Sequence, residues 1–155
     1  MLEALKIVGS IVGLATGAFV LVDRFVRNRP MAYFRPPEHE DGELELVVFN
    51  TANEPIVVHG VECRPDTMRV SYRDDWRDIL DPDLKGGGAI IAPNSHKRFT
   101  CVEGIGWDAQ KPGSWVRIVI RWSFTSWRWL PCVPVRVSNT VERLHQIKSA
   151  VRPSA

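Results

Sequence analysis

The residues that could bind a metal or act as nucleophiles are few and scattered along this chain of 155 residues. They are the histidines and cysteines His39, His59, His96, His145, Cys63, Cys101 and Cys132. His59 and Cys63 share one face of a predicted strand, but two ligands do not make a zinc site. No nucleophile elbow or comparable catalytic motif is present. We therefore expect no enzyme activity, no metal and no cofactor.

The cysteines also indicate the redox state of the chain. Three cysteines spaced widely along a domain of this size are not a disulfide framework. Buried, reduced thiols are therefore predicted, and one disulfide with a free thiol is the alternative.

An acidic segment, residues 74–83, is the remaining source of catalytic carboxylates. From Asp81 the sequence begins like an EF-hand calcium loop, but Lys85 occupies a ligand position and Ala92 replaces the bidentate glutamate. The glycines at 86–88 lack the context of a phosphate-binding loop. The alternative hypothesis is a membrane-tethered hydrolase or ligand-binding enzyme that joins a histidine to two aspartates of this loop, from Asp74, Asp75, Asp78 and Asp81.

Charge is distributed unevenly along the chain. Residues 38–84 carry thirteen acidic and four basic side chains, whereas residues 115–155 carry seven basic and one acidic. These segments attract each other if they fold together, so the basic strands need no external polyanion. Residues 31–155 carry sixteen side chains of each sign, whereas nucleic-acid-binding proteins need a clustered basic surface. We therefore expect no nucleic-acid partner.

An apolar segment near the N-terminus predicts a membrane anchor. Residues 7–22 carry no charge, but these sixteen residues fall short of the roughly 20 that cross a bilayer. Extension over residues 4–26 supplies the length, because Lys6 and Arg24 can direct their charges outward along apolar stems. Residues 1–28 are therefore predicted to form a transmembrane helix with a basic flank. A cleaved signal peptide and a buried helix are the alternatives, and neither a cleavage site nor a polar face supports them.

The flanks of this segment predict its orientation. The residues that follow it include four arginines, whereas Lys6 before it is offset by Glu3. The positive-inside rule then places the C-terminal domain of a single-pass membrane protein in the cytoplasm.

Three glycines indicate what the anchor packs against. Gly9, Gly13 and Gly17 recur every four residues and so share one face of a helix. Small residues at this spacing let a second helix approach closely in the membrane. We expect contact with membrane lipid, and pairing of the transmembrane helix with its own copy or with a protein partner.

Strand-like alternation dominates residues 43–138, which follow an extended connector over residues 29–42. The clearest case is 115–122 (WVRIVIRW), in which apolar residues alternate with Arg117 and Arg121. Strands are predicted over 43–50, 56–64, 67–73, 89–92, 96–102, 115–122 and 129–137. The run FNTANEPIVV resembles the opening hairpin of many β-sandwiches. The pattern predicts an all-β antiparallel sandwich, immunoglobulin-like in the loose sense.

Residues 139–155 change to a helical period. Asn139 and Glu142 fit a capping box. Val141, Leu144, Lys148 and Val151 then recur at helical spacing, with Ile147 beside them. A short amphipathic helix that packs on the domain is favoured over one that lies on the membrane surface.

Five tryptophans fall between residues 107 and 129. Trp122 is expected to fill the core, whereas Trp115 and Trp127 stand at strand ends. With Arg121 and Arg128 they form a possible partner-binding surface, because aromatic residues beside arginine often anchor interfaces. The sequence therefore predicts a membrane-anchored, non-enzymatic interaction or assembly module whose β-domain binds a protein partner or itself.

Overall fold

The structure of the protein is a computed structural model that describes residues 2–22, 28–38, 42–71, 88–127 and 133–150. It contains two α-helices, eight β-strands and a short 3-10 turn within these residues. In chain order they are α1 (Leu2–Val22), β1 (Met31–Arg35), β2 (Leu44–Phe49), β3 (Ile56–Arg64), β4 (Met68–Ser71), β5 (Ala89–Ile91), β6 (His96–Glu103), β7 (Trp115–Phe124), the 3-10 turn (Thr125–Trp127), β8 (Val135–Thr140) and α2 (Val141–Ser149).

The strands form two antiparallel sheets of four strands each. The first sheet has the order β1-β2-β6-β4, and the second has the order β5-β3-β7-β8. The inner faces of the two sheets meet in one hydrophobic core. The predicted antiparallel β-sandwich is therefore confirmed.

Alternation along each strand builds this core. In β7, Val116, Ile118, Ile120 and Trp122 point inward and are buried, as the sequence predicts. The Trp122 ring packs edge-on against Phe124, with ring centroids 5.1 Å apart. Burial of each large apolar side chain contributes about 1.5–3 kcal/mol, so this face helps to hold the two sheets together.

A buried asparagine fastens the turn between β2 and β3. The Asn50 amide nitrogen donates to the carbonyl oxygens of Glu54 at 2.8 Å, Ile91 at 3.1 Å and Ala92 at 3.1 Å. Its side-chain oxygen accepts from the Ala52 backbone N–H at 3.0 Å. Because Asn50 follows a strand of the first sheet and Ile91 belongs to the second, this one amide also ties the sheets together. Such local side-chain bonds explain why asparagine is favoured at a turn here.

The C-terminal helix packs on the sandwich. Val141 and Leu144 of α2 are buried in the core, and Ile147 packs against it. The predicted cap at Asn139 is wrong, because Asn139 still pairs with Val116 in the β7–β8 ladder. The helix begins one residue later, and the Thr140 hydroxyl accepts from the Arg143 backbone N–H at 3.3 Å.

Two other segments differ most from the sequence-based prediction. The last strand, predicted over 129–137, begins at Val135, directly after Pro134, and continues to Thr140. A proline cannot donate to a strand ladder, which fits its place just before the first residue of β8. The segment predicted as a connector over 29–42 contains β1, and each of its five residues pairs with a residue of β2.

The N-terminal segment is one continuous α-helix, α1. Within the residues that the structure describes, no helix combines the length and the apolar character required to cross a membrane.

Candidate functional site

The predicted glycine face lies along α1 and is open. Gly9, Gly13 and Gly17 are spaced by one helical turn, and a methyl group built at each would meet no atom within 4 Å apart from the adjacent backbone of α1 itself. Around them the apolar side chains are exposed: Leu14 is 79% exposed and Phe19 is 71% exposed. No described strand or helix packs extensively against α1. The helix therefore presents an exposed apolar surface with a row of small residues along one side.

The structure divides the predicted tryptophan–arginine surface. Trp115 begins β7, and Trp127 ends the 3-10 turn beyond the other end of that strand. Ten residues of strand extend over about 30 Å, so these two residues do not share one patch. Trp115 and Arg121 do lie on one face, the outer face of the second sheet, and both are exposed. Arg128 lies outside the residues that the structure describes, and at Trp127 the structure describes only the backbone.

Four arginines and one glutamate instead form a cluster on that outer face. Residues Arg64, Arg117, Arg121, Arg136 and Glu62 define what we call the arginine face. β3 and β8 pair with β7 so that Arg64 lies opposite Arg117, while Glu62 and Arg136 flank Val119. The alternation of β7 already placed Arg117 and Arg121 together. Arg64 and Arg136 join them only through strand register, which the sequence does not reveal.

The charges of the arginine face are incompletely neutralised. The Glu62 carboxylate pairs with Arg121 at 2.5 Å and with Arg64 at 3.7 Å. These two arginine side chains remain 63% and 73% exposed, so the ion pairs are weak. Arg117 and Arg136 are exposed and form no ion pair with the described residues. The face therefore has a net charge of +3, from four arginines and one glutamate.

One serine–histidine contact has the geometry of a nucleophile and a base. The Ser123 hydroxyl oxygen lies 2.7 Å from His59 Nε2, on the outer side of the second sheet. Such an imidazole can accept a hydroxyl proton. However, Ser123 is buried, and no hydrogen bond joins His59 to a carboxylate among the described residues. Sequence reasoning missed this pair because the two residues lie 64 positions apart.

The thiols are poor nucleophiles in this environment. Cys63 and Cys101 are both free, and Cys132 lies outside the described residues. Burial raises the pKa of Cys101 to about 12, and burial likewise raises the pKa of Cys63. Both remain protonated at neutral pH, whereas the thiolate is the reactive form. Cys63 lines an open groove of about 490 Å³ between β3 and β4, whose charged residues include both signs.

Neither a metal site nor a match to a known protein assigns a function to this chain. Within the described ranges, no three His, Cys, Asp or Glu side chains converge on a point that could hold a metal ion. The acidic segment 74–83 lies outside those ranges. Neither protein-family profiles nor curated proteins match this chain.

Proposed function

We propose that this protein is a membrane-anchored, non-enzymatic interaction or assembly module. The observation that carries the proposal is the exposed apolar surface of α1, beside a sandwich whose own core is closed. Burying a side chain such as Leu14 or Phe19 gains about 1.5–3 kcal/mol, so a helix with many of them favours lipid or another helix over water.

The proposed membrane segment is residues 4–26, which extends past the last described residue of α1. The uncharged run of α1 is sixteen residues long and needs flanking residues to reach the roughly 20 that span the hydrocarbon core. Lys6 and Arg24 are placed to direct their charges toward the headgroups. The excess of arginine after the segment favours a cytoplasmic location for the sandwich.

The glycine face supports self-association within the membrane. Gly9, Gly13 and Gly17 leave open space along one side of α1. Two such helices can bring their backbones close together, which strengthens van der Waals contact where lipid supplies no hydrophobic driving force between helices.

Replacement of Gly13 by leucine tests this proposal. Gly13→Leu puts a bulky side chain on the glycine face, whereas Ala15→Leu adds leucine to the opposite side of α1. We expect the full chain to float with membranes, to resist alkaline extraction and to crosslink as an oligomer in detergent. Gly13→Leu should reduce the crosslinked fraction about tenfold or more, and Ala15→Leu should leave it unchanged.

Two results would contradict the proposal. Recovery of the wild-type chain in the supernatant after alkaline extraction would remove the membrane anchor. Equal crosslinking of wild type, Gly13→Leu and Ala15→Leu would remove the assembly through the glycine face.

A second candidate function, a membrane-tethered hydrolase, is favoured by the contact between Ser123 and His59. In that function Ser123 is the nucleophile and His59 takes its proton. A fluorophosphonate probe tests it, because the activated hydroxyl oxygen displaces fluoride from phosphorus. Labelling that is lost in Ser123→Ala would favour the hydrolase, whereas an unlabelled wild-type chain would exclude a serine hydrolase of this kind.

A further inference from the structure

We propose that the arginine face docks on the anionic headgroups of the same membrane that holds α1. The inference rests on the proposed membrane anchor and adds a second, electrostatic contact to it. The groups that the face binds are the phosphates and carboxylates of anionic lipid headgroups.

The charge of the face is the first argument. Four exposed arginines surround a single carboxylate, and Arg64 lies directly opposite Arg117. Like charges on directly opposed residues destabilise a sheet pair. The arrangement therefore costs stability in the isolated domain, and an anionic surface relieves that repulsion. The inner leaflet of a cell membrane carries such negative charge, and each arginine close to it strengthens binding about fivefold.

The connection to α1 is the second argument. The chain enters the sandwich at β1, and β1 lies against β8, which carries Arg136. The proposed membrane segment ends at residue 26, so four residues, 27–30, separate it from β1. Four residues reach at most about 14 Å, which is close to the width of about 15 Å of a four-stranded sheet. A membrane-embedded α1 thus holds the arginine face within reach of the headgroups.

The side chains between the arginines are the third argument, and they favour lipid over an acidic protein. The outward positions among the arginines are Val119, Ser138 and Thr140, which are small. Protein interfaces usually combine arginine with a large aromatic anchor that is buried at the centre. Here the large aromatic residue, Trp115, lies at the rim and is exposed. Tryptophan beside basic residues is typical of the membrane–water interface.

Fluorescence of the full chain in nanodiscs tests the proposal. The discs contain phosphatidylcholine alone or with phosphatidylserine, and their acyl chains carry bromine close to the headgroup as a quencher. The difference between wild type and Trp115→Phe isolates the Trp115 signal. We expect Trp115 to be quenched in the discs with phosphatidylserine, and high salt should reverse the quenching.

The decisive variant is Arg117→Glu/Arg136→Glu, compared with Lys111→Glu/Arg143→Glu. Both doubles change the net charge by the same amount, and Lys111 and Arg143 are exposed residues outside the arginine face. We expect the first double to lower the ratio of docked to undocked domain by about tenfold or more. The second double should behave as the wild type.

Other outcomes would overturn the inference. Quenching that is equal in the two lipid compositions, or equal in the two double variants, contradicts lipid docking by this face. Crosslinking of the full chain in native membranes tests the other partner class. If wild type captures an acidic protein that Arg117→Glu/Arg136→Glu does not, and Trp115 quenching does not depend on phosphatidylserine, the face binds a protein instead. Resistance of each variant to alkaline extraction reports the insertion of α1 separately, so failure of the anchor and failure of docking are distinguishable.

Discussion

The outer faces of the two sheets carry the same kinds of charged residue, arginine and glutamate, in different proportions. On the first sheet, Arg35 and Arg98 are matched by Glu38 and Glu45. Arg98 pairs with Glu38 at 2.6 Å and with Glu45 at 3.8 Å, while Arg35 pairs with Glu38 at 3.1 Å and with Glu45 at 3.9 Å. On the second sheet, the arginine face has one glutamate for four arginines. The first cluster is neutral and the second is strongly basic.

The two clusters also differ in how far their side chains are buried. The Arg35 and Glu45 side chains are only 17% and 18% exposed. Between Tyr33 and Arg98 the first sheet buries Val47, although that residue points outward. The matched charged side chains thus lie around the buried Val47 on this outer face. The arginines of the second sheet, in contrast, are exposed to solvent.

The first prediction breaks the matched cluster and compares it with the unmatched one. Glu45→Gln removes a negative charge 3.9 Å from Arg35 and 3.8 Å from Arg98, on a carboxylate that is only 18% exposed, so we expect a loss of about 1 kcal/mol in unfolding free energy. Glu62→Gln removes a carboxylate between exposed arginines and should change stability by less than about 0.5 kcal/mol. Urea unfolding of the full chain in detergent measures both. Equal losses would show that the two clusters do not differ as described.

The second prediction extends the comparison to α2, whose Lys148 pairs with two carboxylates at one end of the first sheet. Its ammonium group donates to Glu103 at 2.9 Å and to Glu43 at 3.1 Å. The pKa of Lys148 is raised above its usual value of 10.5, chiefly by the hydrogen bond to Glu103. Partial desolvation acts in the opposite direction and has the smaller effect. We expect Lys148→Met to lower the unfolding free energy by about 1 kcal/mol at neutral pH.

The pH dependence of this difference follows from the raised pKa. The folded state holds the lysine proton more tightly, so the contribution is complete below pH 10.5 and is lost as pH rises through the folded-state pKa. The stability gap between wild type and Lys148→Met should therefore close at high pH. Arg143→Met, on an exposed position of the same helix, should show no such convergence. A gap that persists at high pH contradicts the assignment.

The third prediction has the smallest effect and concerns the unmatched face. Arg117→Glu replaces one of two opposed arginines with a carboxylate that faces Arg64. A repulsive cross-strand pair becomes attractive, so we expect a gain of a few tenths of a kcal/mol in stability. The midpoint of urea unfolding measures it. A variant that is more stable and yet docks less well would support a binding role for Arg117, whereas a loss of stability would indicate that Arg117 has a structural partner.

Local pattern predicted most of the sandwich. The strand over 56–64 was predicted with both of its ends, and the inward face of 115–122 matches the buried residues of β7. These strands have long, regular alternation, which identifies a half-buried strand without knowledge of its neighbours. The helix at the C-terminus was also predicted, although its first residue was displaced by one.

What could not be predicted depends on pairing between distant segments. β1 is five residues long, between prolines, and only its pairing with β2 identifies it as a strand. The arginine face depends on the register of β3 and β8 against β7, and the contact between Ser123 and His59 depends on the same pairing. Single-strand periodicity contains no information on which distant residues lie opposite one another.

The junction between β8 and α2 has a consequence for local unfolding. The strand ends at Thr140 and the helix begins at Val141, with no residue between them. The first helical N–H groups are held by the loop before β7, because Val141 donates to Ser114 at 3.0 Å and Glu142 donates to Pro112 at 2.9 Å. The helix therefore cannot detach without releasing the end of the β7–β8 ladder. Amide hydrogens of β8 and α2 should exchange with solvent together, as one cooperative unit.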